Sequence, residues 1–89
     1  MQKITVNSMQ KEELTQLARE IKQSKNKHKI LKEIEWFLSG HYTKTRFLTL
    51  LITNNLYKPE YDKISDELMN RDLLLELYKL IRKNMNEKS

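Results

Sequence analysis

The chain has 89 residues, 38% of them hydrophobic, enough for one modest core and too few for a second domain. One glycine, one proline and no cysteine exclude a disulfide framework, a thiolate nucleophile and the repeated tight turns of an all-β chain. The net charge of +5 is uneven: residues 1–46 hold ten Lys/Arg against five Glu, whereas residues 47–89 hold seven of each sign.

The first predicted helix covers about residues 8–23. Asn7 or Ser8 is placed to cap its opening amides, Glu12 and Glu13 suit its positive start, and Leu14, Leu17, Ala18 and Ile21 form an apolar stripe. Ser24, Lys25 and Asn26 interrupt it. A second helix over about residues 26–39 carries Ile30, Leu31, Ile34, Phe37 and Leu38 on one face. Gly40 stops it, because glycine takes the left-handed conformation after a helix without strain. Trp36 falls roughly opposite the centre of that stripe.

The third helix, about residues 43–55, spreads Phe47, Leu48, Leu50, Leu51 and Ile52 around much of its circumference, which predicts a central position covered on several sides. Asn54 and Asn55 close it. Pro59, Glu60 and Asp62 suit the first turn of a short helix over residues 59–69, with Tyr61, Ile64, Leu68 and Met69 at helical spacing. That stripe does not continue in phase into Leu73, Leu77 and Leu80, so Asn70, Arg71 and Asp72 are read as a break and a new cap. The last helix carries Leu73, Leu74, Leu77, Leu80, Ile81 and Met85. Lys79, Arg82 and Lys83 complement its negative end, and fraying is expected from about Asn86.

The fold class is therefore all-α: a single domain over residues 1–89 with an ordered core at about 8–86. The expected form is a small antiparallel four-helix bundle with an extra short helix at 59–69. The longest nearly apolar run, residues 47–52, is far below the ~18–20 residues of a membrane span. Residues 1–7 lack the continuous apolar segment of a signal peptide. A cytoplasmic protein is the expectation.

The residues that would carry catalysis are sparse. One glycine excludes the usual phosphate and dinucleotide loops. His28 and His41 flank the second helix and lack the i, i+4 spacing with a nearby acid that makes a helical zinc site. The acidic pairs Glu12/Glu13, Glu33/Glu35 and Asp66/Glu67 occupy adjacent or alternate helical positions, which do not face one another. No metal and no cofactor is expected, and the chain reads as a binding protein and not an enzyme.

Two groups are candidates for binding. Lys22, Lys25, Lys27, Lys29 and Lys32, with His28 among them, form a basic patch able to meet phosphates, an anionic membrane surface or an acidic protein. In the last helix Leu75, Tyr78 and Arg82 make an i, i+3, i+7 ridge turned away from the apolar stripe, of residue types that anchor interfaces. Trp36 and the cation Lys83 complete this expected partner surface. A solvated helix face is the plain alternative for the lysines, and incidental exposure or a place in the core is the alternative for the ridge.

The order of elements also resembles a known family. The carrying segments are Glu13-Leu14-Thr15-Gln16-Leu17, Trp36-Phe37-Leu38-Ser39-Gly40-His41-Tyr42, Arg46-Phe47-Leu48-Thr49-Leu50-Leu51-Ile52 and Asp72-Leu73-Leu74-Leu75-Glu76-Leu77-Tyr78-Lys79-Leu80-Ile81. Over about residues 8–86 the pattern is similar to that of the class II bacteriocin immunity proteins of low-GC Gram-positive bacteria. The resemblance implies a small basic cytoplasmic bundle without catalysis. It would protect its producer at the inner face of the membrane, by closing or trapping the sugar permease that the bacteriocin uses as receptor. It further implies that specificity resides in the C-terminal part, here the last helix and residues 82–89. The alternative is a small phage- or plasmid-type nucleic-acid-binding regulator that uses the basic region of residues 22–32.

Overall fold

The structure is a computed structural model that describes residues 8–86, with side chains from residue 11 onward. Helix α1, Ser8–Lys22, buries Leu14, Leu17, Ala18 and Ile21 at 1% exposure or less. The cap expected at Asn7 lies outside the described residues. Glu12 and Glu13 fall in the second turn of α1 and not in the first, because the helix is already formed at Ser8. Helix α2, Lys27–Trp36, follows a short turn in which the Ile30 N–H donates to the Asn26 carbonyl. The Asn26 side chain makes no cap. Its Nδ2 instead donates to Asn54 Oδ1 at 2.8 Å and ties the start of α2 to the end of the following helix.

The second helix is shorter than its apolar stripe predicts. After Trp36 the chain makes one wide π-type turn, Phe37–His41, in which Gly40 takes φ 111. Only glycine adopts that conformation without strain. Helix α3, Lys44–Thr53, is opened by Thr43, whose Oγ1 accepts the Arg46 N–H at 3.0 Å. Its close is a Schellman turn: Asn55 takes φ 60, and the Asn55 and Leu56 amides reach back to the Ile52 and Leu51 carbonyls.

The predicted short helix is α4, Tyr61–Glu67. Pro59 sits in the turn just ahead of it and not in its first turn, with its carbonyl accepting the Asp62 N–H. Helix α5, Arg71–Asn86, begins where the phase break predicted, with Asn70 Oδ1 accepting the Asp72 N–H at 2.9 Å. Asn86 belongs to the helix, and residues 87–89 lie outside the described part.

The described chain thus holds five α-helices, the short α4 being the fifth. The α1–α5 pair is the most extensive packing in the molecule, α2 rests on both, and α4 packs on α1 and α3. Tyr78 meets Glu35 and Arg71 meets Leu38, so α5 runs antiparallel to α2. Asn26 meets Asn54 and Trp36 meets Arg46, so α3 also runs antiparallel to α2.

The centre is occupied by α1 and α5, whose Leu17, Ala18, Leu77 and Ile81 are fully enclosed. That displaces α3 from the central position its composition suggested. It buries Phe47 and Leu51 only, and Ile52 is 59% exposed. An apolar circumference signalled helix content here without enough neighbours to cover it.

Candidate functional site

Two surfaces and one polar latch stand out. On α5, Leu75, Arg82 and Lys83 are exposed, as their helical phase predicts. Tyr78 is half-buried: its ring packs against the core while its hydroxyl donates to Glu35 Oε2 at 2.7 Å. Arg82 Nη1 donates to the same hydroxyl at 3.2 Å, and its guanidinium lies 5.8 Å from the ring centroid. The ridge is therefore anchored to α2 through an acid–phenol–guanidinium chain, with Leu75 standing 38% exposed beside it. Lys83 lies roughly 100° further round α5 than Arg82, on the flank away from Tyr78.

Trp36 does not join that ridge. Adjacent residues on a helix diverge by about 100°, so Glu35 turns to α5 and Trp36 turns to α3. Its indole is 42% exposed, with the His41 ring stacked at 4.6 Å and the Arg46 guanidinium 4.9 Å from its centroid. Arg46 Nη1 also donates to the His41 carbonyl at 2.9 Å. The π-type turn swings His41 back under Trp36, and the Thr43 cap starts α3 in the register that brings Arg46 alongside. The sequence considered by itself suggests His41 only as a zinc ligand and does not bring it together with Arg46. The signal that would have joined them is the Trp36–Gly40 segment, if read as a chain reversal.

Of the basic patch, Lys25, Lys29 and Lys32 are exposed, while Lys22 and Lys27 are half-buried. Three of the five lysines are thus fully exposed, and His28 is exposed among them. Among the described residues no group of three or more His, Asp or Glu side chains is placed to hold a metal ion. No described helix is long and apolar enough to cross a membrane.

An open, mainly polar cavity of about 530 Å³ is lined by the 23–26 turn and residues 53–58, with Glu20 on its wall. The Glu20 carboxylate accepts from Lys58 Nζ at 2.6 Å, Tyr61 Oη at 2.8 Å and Gln16 Nε2 at 2.9 Å. Burial pushes this carboxyl up, but the hydrogen bonds from Lys58, Gln16 and Tyr61 outweigh it and hold its pKa below the ordinary value. Burial and the bond to Glu20 push the Tyr61 phenol up. These contacts bolt the start of α4 to the end of α1, a structural arrangement that sequence periodicity gave no means of finding.

Comparison with protein-family models, curated proteins and solved structures yields no match. The functional reading accordingly rests on the chain's own chemistry and on the pattern resemblance.

Proposed function

We propose that the chain is a non-catalytic binding protein, and that its specific role is immunity: protecting the producing cell from a pore-forming class II bacteriocin by acting at the membrane receptor. The observation that carries the binding reading is the α5 ridge. Leu75 and Arg82 are exposed, and the half-buried Tyr78 between them is fixed by Glu35. A rigid aromatic flanked by an arginine and an exposed leucine is the composition of an interface anchor. Its position on α5 accords with the C-terminal specificity that the resemblance implies, and the all-α architecture accords with a helical immunity bundle.

The experiment is expression of the full chain in a sensitive low-GC Gram-positive strain, challenged with a panel of pore-forming class II bacteriocins. Survival against at least one of them supports the role. Uniform sensitivity, at a protein level matched to a working immunity protein, removes it.

A further inference from the structure

The outer face of α2 is the surface that the α5 ridge leaves unused. Residues 22–32 contain five lysines and a histidine and no Asp or Glu. On α2, Lys29, Lys32 and Trp36 follow one another at i, i+3 and i+7, all exposed and roughly opposite the buried Ile30 and Ile34. Lys25, exposed in the turn ahead of the helix, adds a further cation next to the start of this face. The ion pairs among the described residues are Lys44–Asp66 and Lys58–Glu20, and neither involves a lysine of this face. Of the nearest carboxylates on α2, Glu33 is half-buried beside Trp36 and Arg46, and Glu35 is bound by Tyr78.

A convex helix face with cations along it and a half-exposed indole at one end suits a planar anionic surface. Lysine is a compact hydrated charge that needs no fixed partner geometry, and tryptophan settles at headgroup level, where one side is apolar and the other wet. Nucleic acid fits less well. Helix α2 contains no Asn or Gln to pair with an adenine edge and no arginine fork, which leaves its lysines as the readers of a guanine edge. A base approaching Trp36 meets His41 and Arg46 already packed on the indole.

We propose that the outer face of α2, through Lys25, Lys29, Lys32 and Trp36, seats the protein on an anionic phospholipid bilayer. This deepens the immunity reading by naming the surface that brings the chain to the membrane, and it rests on that reading for its biological purpose alone.

Trp36 is the single tryptophan, so its fluorescence reports on the proposed contact directly. Titration of the full chain at low salt with vesicles of equimolar phosphatidylglycerol and phosphatidylcholine is expected to shift Trp36 emission to the blue and to sediment the protein. Vesicles of phosphatidylcholine alone do neither. Each lysine near an anionic surface changes partitioning about fivefold. The combined variant Lys25→Gln, Lys29→Gln, Lys32→Gln is therefore expected to bind roughly a hundredfold more weakly. Its circular dichroism spectrum and denaturation midpoint stay those of wild type, since all three positions are exposed.

No binding to the anionic vesicles, wild-type binding by the triple variant, or vesicle binding with unchanged Trp36 emission overturns the proposal. So does binding to a random-sequence DNA duplex that the triple variant loses, with no vesicle binding at the same ionic strength. Vesicle binding by a chain that confers no protection leaves this surface standing and removes only the immunity reading. Protection by a chain that ignores vesicles does the reverse.

Discussion

Glu20 is where a small perturbation tests the packing of α4 against α1. Three donors converge on its carboxylate, and one of them, Tyr61 Oη, belongs to a residue only 1% exposed. Tyr61→Phe keeps the buried ring and removes one hydrogen bond to a charged group, which costs about 1.5–3 kcal/mol at full strength, and less here because the site opens onto a cavity. Glu20→Ala removes the acceptor and leaves the Tyr61 hydroxyl unpaired, at about 1–3 kcal/mol. The Lys58 contact is exposed to solvent, is screened by it and adds little.

Urea denaturation of wild type, both single variants and the double variant closes a thermodynamic cycle, with an expected coupling of about 1 kcal/mol. The pH arm has a definite sign. Glu20 is more acidic folded than unfolded, so its contribution is complete above the unfolded pKa and is lost as pH falls through the lower folded one. Glu20→Gln should therefore reduce stability at neutral pH and shrink its difference from wild type in acid. Strictly additive variants, or a difference that grows in acid, would refute the latch.

Gly40→Ala should destabilise by about 1–2 kcal/mol through backbone strain alone, since its φ is 111 and an added Cβ meets nothing within 4 Å; a midpoint within error of wild type would contradict the turn geometry. Leu17→Ala should cost roughly 2–5 kcal/mol, whereas Ile52→Ala, 59% exposed, should stay within about 0.5 kcal/mol. The reverse order in thermal or urea unfolding would return α3 to the centre of the bundle. Trp36→Phe should retain the fold while abolishing the fluorescence response to vesicles.

Much of the fold was legible because periodicity and punctuation agreed. Gly40, Asn70 and the phase break before Leu73 each mark a boundary that the backbone obeys, and the stripe Leu14, Leu17, Ala18, Ile21 is buried throughout. Neighbours were not legible. An apolar α3 carries no information about how many helices surround it, so Ile52 was expected inside and lies outside. A wheel advancing about 100° per residue fails at a π-type turn, which is why Trp36 was grouped with the α5 ridge and not with His41 and Arg46. Tyr78 lies at the flank of its stripe, where phase alone does not separate core from surface. The Glu35 carboxylate on another helix decides its position. Of the basic patch, the outward turn of Lys29 and Lys32 follows from helical phase opposite Ile30 and Ile34. Lys27, three residues before Ile30 and seven before Ile34, is turned by the same phase towards the buried side, where it is half-buried.

The central claim, that α5 presents a partner surface, is tested most directly by survival of bacteriocin-challenged cells expressing the Leu75→Ala, Arg82→Ala double variant, with its denaturation midpoint measured alongside. Both side chains are exposed, so the midpoint is expected to stay within about 0.5 kcal/mol of wild type, while protection falls by at least about tenfold as the anchor is removed. Full protection at normal stability, or protection lost only together with the fold, would contradict the account.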